Sequence, residues 1–268
     1  MEALSTIMPF KLEIVGSYEC PECKTTVNIV KSVRNGKELI SKMCLECDNR
    51  KLKKECEDLL ANKDLRKAQS LFNVFSIVTS DVTEANFENY DPKNEDQRKA
   101  KNGAIWYAKN FPNLDKDFHS MLFQGSYGLG KSHLAHAISN QVKDKGKTSI
   151  FINVPELLNM IRGTFNRNSK FTENELLDAI SKVELLVLDD IGAEYVKNDS
   201  DGTESWATDK LFQIINSRVA KPTIYTTNYN SGDLAKKYGK HGGRIVSRMM
   251  QGTKVIKFSG DDFRLKGF

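Results

Sequence analysis

The run Gly125-Ser126-Tyr127-Gly128-Leu129-Gly130-Lys131-Ser132 packs three glycines, a lysine and a hydroxyl into one turn-forming segment. Glycines let a backbone curl so that its N–H groups converge on an anion at the start of a helix. The apolar Met121-Leu122-Phe123 before it and the helix-forming His133-Leu134-Ala135-His136-Ala137-Ile138 after it supply the strand and helix that such a loop needs. Lys131 is then placed to reach the outer phosphates of a nucleotide, and Ser132 to hold Mg²⁺ through its hydroxyl. A second acidic element follows. Leu185-Leu186-Val187-Leu188 reads as a buried strand ending in Asp189-Asp190, and a carboxylate at the C-terminal end of a parallel strand faces the ligand crevice. Asp189 is expected to hold Mg²⁺ and Asp190 to polarise the attacking water. Asp190 is one methylene shorter than the commoner Glu, so Glu194 is a possible helper. Ile224–Asn228 is a further strand with a polar end, Thr226-Thr227-Asn228: an Asn or Thr there can touch the γ-phosphate or the water, whereas turn and helix-cap chemistry is the alternative for Asn228 and Asn230.

Cys20-Pro21-Glu22-Cys23 and Cys44-Leu45-Glu46-Cys47 form two CxxC pairs separated by 20 residues. In a cytosolic chain that spacing points to a four-thiolate structural Zn²⁺ site. Between the pairs, Val27–Val33 and Lys37–Met43 flank Asn35-Gly36, a type I′ hairpin signal that would bring the pairs together. Cys56 is left over, in a predicted helix. All four positions being thiolates leaves no open coordination site, so the metal would be structural.

These side chains need a frame. The 268 residues are 39% apolar and 28% charged, an ordinary globular composition. No apolar run approaches the length of a membrane span, and the N-terminus lacks the basic and apolar regions of a signal peptide; a cytoplasmic protein is expected. From Asn102 onward strands (121–124, 149–154, 184–188, 223–227, 254–258) alternate with helices (131–143, 155–164, 173–182, 205–220, 232–238, 242–250). This is the pattern of a parallel α/β sheet. Thr172 and Glu175 make a capping box for the helix at Glu173. The polar stretch Thr79–Lys101 reads as a linker. The expected organisation is a zinc-binding domain with a helix over residues 1–70, a linker over 71–101 and a nucleotide-binding domain over 102–268. From Ser231 to Phe268 nine Lys or Arg face three Asp, a cationic tail suited to phosphate.

In sequence order, GSYGLGKSHLAHAI, FINVPELL, LLVLDDIGAE, PTIYTTNY and GRIVSRMM resemble the bacterial and phage replicative helicase loaders of the DnaC/DnaI type, AAA+ ATPases related to the DnaA initiator and to the IstB transposition helper. The resemblance covers about residue 85 to the C-terminus. It implies an AAA+ P-loop three-layer domain with a five-stranded parallel sheet and no full lid, preceded by a small zinc ribbon. It also implies ATP, Mg²⁺ and Zn²⁺ as cofactors. Gly125, Gly128, Gly130, Lys131, Ser132, Asp189 and Arg264 would bind nucleotide, Arg264 as the sensor 2 arginine in cis. Asp190, Asn228 and Arg248 would be catalytic, Arg248 as an arginine finger inserted by a neighbouring subunit, with Arg244 a further candidate at that interface. The implied partners are a DnaB-type helicase, single-stranded DNA and other copies of the chain. Arg162, Phe165, Arg167 and Lys170 are the DNA candidates, by phosphate contact and stacking on Phe165; a core position for Phe165 is the competing reading. The loop from Glu194 to Glu204 is a second DNA candidate, weakened by its acids. The cysteine unit would dock on the helicase, and the basic helix near Arg50–Lys67 leaves DNA contact open. Two other readings stand beside the loader: an IstB-like transposition helper, which usually lacks a zinc ribbon, and a zinc adaptor whose P-loop only senses nucleotide.

Overall fold

The computed structural model describes residues 12–34, 37–75, 80–114, 117–166, 169, 171–196 and 205–265. The chain divides into two compact units, Met1–Lys63 and Asp64–Phe268.

In the first unit, β1 (Leu12–Glu19), β2 (Thr26–Arg34) and β3 (Lys37–Ser41) form an antiparallel sheet in that order. The hairpin of β2 and β3 lies where the sequence placed it, and its Asn35-Gly36 turn falls outside the described residues. Strand β1 was not anticipated. Its eight residues alternate only weakly between apolar and polar types, so no strand period stands out. Helix α1 (Leu45–Phe75) begins directly after Cys44.

The second unit is a five-stranded parallel sheet. Its strands are β4 (Ser120–Gln124), β5 (Ser149–Asn153), β6 (Leu185–Ile191), β7 (Thr223–Thr227) and β8 (Thr253–Lys257). Their order across the sheet is β5-β6-β7-β4-β8. Strand period two sends alternate side chains to opposite faces. Leu186 and Leu188 therefore join one core with Ile150, Ile152 and Tyr225, under α5 (Val154–Gly163), α6 (Glu173–Lys182), α7 (Trp206–Ser217) and α9 (Gly242–Met250). Leu185 and Val187 join the other with Met121, Phe123 and Ile224, under α3 (Glu95–Asn110) and α4 (Lys131–Asp144). Both faces being covered gives the three layers that the parallel pattern requires.

Element ends follow local chemistry. Helix α6 starts at Glu173 because Thr172 accepts the Glu175 N–H while the Glu175 carboxylate accepts from Thr172, the predicted capping box. Helix α8 (Ser231–Lys237) is capped by Asn230, which accepts the Asp233 N–H. The linker expected over 71–101 needs correction, because it holds the short helix α2 (Ser80–Thr83) and α3 crosses its end at Lys101. Asn94 caps α3 by accepting the Gln97 N–H, and Ala85, Phe87 and Tyr90 upstream are buried. The helix hid in composition. The side chains it buries are mostly alanines, Ala100, Ala104 and Ala108, with Tyr107 and Gln97, so its apolar period is faint beside the charges on its outer face. Helix α7 stops at Ser217, short of the Ala220 expected, because Arg218 leaves the helix and turns inward.

Arg218 is 1% exposed. Its guanidinium donates to the Val183 carbonyl at 2.7 Å, the Pro222 carbonyl at 2.6 Å and the Thr223 hydroxyl at 3.3 Å. It also donates to the carbonyls of Ser181 and Ile180. The last turn of α6 and the entry to β7 thus hand their free carbonyls to one side chain. Burial lowers its pKa to about 10, still above neutrality, so the group stays cationic. Removing it strands several buried acceptors at once, each costly to leave unpaired. Arg218→Leu is expected to lower unfolding free energy by about 3 kcal/mol. Urea unfolding monitored by circular dichroism checks this, and a loss under about 1 kcal/mol would show that the carbonyls find other partners.

Candidate nucleotide site

Because every strand of the sheet runs parallel, the C-terminal ends of β4, β6 and β7 open on one edge. Strand β7 lies between β4 and β6. The phosphate loop leaves β4, the acidic pair ends β6, and the polar end of β7 stands between them.

The loop feeds α4 at Gly130, whose φ of +81° is left-handed. A side chain there would also strike the Tyr90 ring, 2.4 Å from a Cβ, so glycine is required twice over. Lys131 is the first residue of α4 and is buried. Its ammonium donates to the Ser126 carbonyl at 2.5 Å and to Asn228 Oδ1 at 2.7 Å. Burial pulls its pKa down to about 8, against the opposing pull of Asp190 and Asp189. The two asparagines divide the roles that the sequence left open: Asn230 caps a helix, and Asn228 meets the loop lysine.

The acidic pair is arranged through Thr226, one of the polar residues at the end of β7 that the sequence offers to the γ-phosphate or the water, here placed against the aspartates instead. Thr226 Oγ1 donates to Asp189 Oδ1 at 2.7 Å and accepts the Asp190 N–H at 2.8 Å. One hydroxyl fixes both carboxylate residues. Strand β6 runs on through the pair to Ile191, beyond the expected end at Leu188, with its register to β7 shifted between Leu188 and Ile191. The shift sits where Asp190 takes a φ of +56°, a conformation uncommon outside glycine. A bulge of this kind re-aims a side chain at a functional edge. Asp189 is buried, and burial raises its pKa to about 6, with the Asp190 charge adding to the rise and hydrogen bonds from Thr226 and Ser132 opposing it. Lys131, Ser132, Asp189, Asp190 and Asn228 are therefore brought together.

Glu194 is not available as a helper to Asp190. It is buried, accepts the Gly192 N–H at 3.0 Å and accepts the Tyr238 hydroxyl. Its carboxylate locks the start of the loop after β6 to the end of α8. The structure places Arg264 beside the loop on the C-terminal segment, its Nε 3.3 Å from Asp262 Oδ1.

Arg248 and Arg244 lie one turn apart on α9, whose Ile245 and Met249 face the core. Both arginines are exposed and line an open cleft of about 430 Å³ with Phe212, Gly243 and Ser247. Two exposed guanidiniums one turn apart can pair with an anion brought to that face.

Of the four DNA candidates, Arg167 and Lys170 lie outside the described residues. Phe165 is 60% exposed, which removes the core reading. Trp206, passed over in the sequence, gathers the other two: the Arg162 guanidinium lies 5.0 Å from its ring centroid, and Phe165 meets it edge-on at 6.0 Å. Only the contrast of an aromatic at the head of a helix hinted at it. Tyr195, in the second candidate loop, is 83% exposed, and residues 197–204 of that loop lie outside the described residues.

In the first unit the four cysteine sulfurs lie within 4.8 Å of one another. Cys20 and Cys47 are 3.7 Å apart, and Cys23 and Cys44 3.4 Å. Four thiolates about 2.3 Å from one ion stand about 3.8 Å apart in a tetrahedron, so the donor set fits a metal. The first pair sits in the turn between β1 and β2, closed by the Lys24 N–H to the Cys20 carbonyl. The second pair opens α1. The Thr25 hydroxyl and backbone lower the Cys23 pKa to about 6, and the clustered sulfurs push Cys47 upward. A cation resolves that conflict.

Thr226 yields a sharp expectation. Thr226→Val keeps the shape and removes the hydroxyl, freeing Asp189 and orphaning the Asp190 N–H. Nucleotide turnover is expected to fall about 10–100-fold, the usual effect of losing an outer hydrogen bond that orients a metal-site carboxylate. The melting temperature should move by only a few degrees. Steady-state turnover beside thermal unfolding checks this; unchanged turnover would mean that the bulge alone orients the pair.

Comparison with known proteins places the site in a lineage. The family model for the IstB-like ATP binding protein matches residues 49–267. The replicative helicase loader DnaC of Escherichia coli K12 is 35% identical over 182 residues, covering 66% of this chain and 68% of that protein. The crystal structure of the DnaC helicase loader superposes with a TM-score of 0.55 at 25% identity, covering 68% of this chain and 100% of that one. The crystal structure of DnaI superposes at 0.54 with 26% identity, covering 69% and 94%. The chain belongs to the IstB-like family of ATP-binding proteins, as an AAA+ ATPase related to the DnaC-type loaders.

Proposed function

We propose that this protein is an ATP-dependent loader that places a hexameric DnaB-type replicative helicase on single-stranded DNA. The observation that carries the reading is the relationship to replicative helicase loaders over 182 residues, a span long enough to take in the whole β4–β7–β6 site. ATP would sit on Gly125–Ser132, with its β- and γ-phosphates at Lys131 and its Mg²⁺ between Ser132 and Asp189. Mg²⁺ would neutralise charge on the phosphates, and Asp190 would orient the attacking water. Asn228, bonded to Lys131, would report the γ-phosphate to β7. Arg248 from a neighbouring copy would complete the site, with Arg244 beside it. Their outward position in the α9 cleft supports self-association.

Single-stranded DNA would lie against Arg162, Phe165 and Trp206. An exposed aromatic beside a cation held on a ring offers stacking and phosphate contact together. Arg167 and Lys170 would add charge along the same path. The cysteine unit would hold Zn²⁺ on Cys20, Cys23, Cys44 and Cys47 and dock on the helicase. No described helix is long and apolar enough to cross a membrane.

The transposition-helper reading keeps one support, the name of the matching family model. The four-cysteine unit and the loader relatives weigh against it. The P-loop-as-sensor reading is disfavoured by the kinship to an ATP-binding family with AAA+ relatives.

Capture of a purified DnaB-type hexamer by the full chain tests the loader and the zinc unit together. The wild type should carry about one Zn²⁺ per chain and retain the helicase at micromolar concentration. Cys44→Ser should lose the metal and weaken retention about tenfold or more while nucleotide binding persists, because a structural zinc site is folding free energy for its own unit. No retention by the wild type would sink the loader reading; retention of duplex DNA and a transposase instead would favour the helper.

A further inference from the structure

The segment after β8 runs back along the phosphate loop and is fastened there at several points. The Phe258 N–H donates to the Gln124 carbonyl at 2.7 Å. The Ser259 carbonyl accepts from Asn94 at 2.8 Å and Gln97 at 3.3 Å. The Phe263 N–H donates to the Gly128 carbonyl at 3.0 Å. Between those fastenings Asp262 presses its carboxylate on the loop. A Cβ on Gly128 would lie 1.6 Å from Asp262 Oδ1, so only glycine admits the acid there.

That placement is electrically costly beside a phosphate site. A carboxylate against a phosphate-binding loop repels each incoming phosphate charge, and the repulsion grows from diphosphate to triphosphate. It is also the group that holds Arg264. Asp262 Oδ1 accepts the Arg264 N–H at 2.9 Å and faces its Nε at 3.3 Å. The Arg264 side chain is otherwise 61% exposed. Acid and arginine thus form a self-contained pair within the electrostatic reach of Lys131. A γ-phosphate that recruits Arg264 must take it from Asp262.

We propose that Asp262 is a positioning residue that competes with the nucleotide's phosphates, holding Arg264 on the P-loop at Gly128 and so setting ATP affinity below what the loop and lysine alone would give. The proposal deepens the ATP-site reading and rests on it. Its consequence is selective: the competition acts more strongly against ATP than against ADP. Occupancy is then graded by the same pair that delivers Arg264, which suits a switch that must release as well as bind.

The test is titration of the full-length protein with ATPγS and with ADP. Asp262→Asn keeps the shape, and its side-chain oxygen can still accept the Arg264 N–H. ATPγS should bind about 3–10-fold more tightly to it than to the wild type, with a smaller gain for ADP. Asp262→Ser should show the same direction. In an Arg264→Gln background the Asp262→Asn gain should shrink, because the arginine is no longer there to be released. A role confined to packing predicts the opposite, weaker or unchanged binding. Affinities for both variants within twofold of wild type, or below it, with melting temperatures showing folded protein, would overturn the proposal. Absence of nucleotide binding by the wild type would overturn the ATP-site reading itself.

Discussion

A buried ammonium has to be answered by oxygen atoms, and Lys131 organises the second unit around that need. Its partners come from both sides of the gap: the Ser126 carbonyl from its own loop and Asn228 from the end of β7. Asp189 and Asp190 supply the opposing charge from β6. These groups meet only if β7 separates the loop strand from the acid strand and all three point the same way. The sheet order is therefore tied to the charge arrangement. A slip of one residue in β7 would turn Thr226 away from Asp189 and lose the hydroxyl bond that spans the two strands.

The arrangement is held by further contacts around it. Arg218 binds the start of β7 to the end of α6. Tyr90, from the segment first read as linker, packs under Gly130 and donates to the Leu129 carbonyl at 3.2 Å. Glu194 and Tyr238 close the loop after β6. On the α9 face, by contrast, Arg244 and Arg248 project into solvent.

Much of this was legible in the residues. The phosphate loop, the acidic pair and both CxxC pairs announce themselves because their chemistry demands fixed spacing. The start of α6 was legible because a capping box marks it, and β7 covers the expected residues 223–227. What stayed hidden did so for physical reasons. Helix α3 buries alanines and so lacks a strong period. Thr226 looks like any β-branched strand residue until its hydroxyl is seen between two aspartates. Glu194 resembles a catalytic spare, yet its exposure was not readable from sequence, and its pairing with Tyr238 is a contact across 44 residues. Asp262 is likewise an ordinary acid in the sequence, and only its position over Gly128 gives it meaning.

The central claim is that each ATP site is shared between two chains, with Lys131 on one and Arg248 on the other. Mixing two inactive variants tests it most directly. Lys131→Ala keeps the outward arginine and loses its own site; Arg248→Ala keeps its site and loses the arginine. Each alone should hydrolyse ATP at a small fraction of the wild-type rate on single-stranded DNA. Together, at concentrations that permit assembly, they should recover turnover well above the sum of the two, because some interfaces then pair an intact loop with an intact arginine. A mixture no more active than the sum of its parts, with both variants shown to co-assemble, would contradict the account.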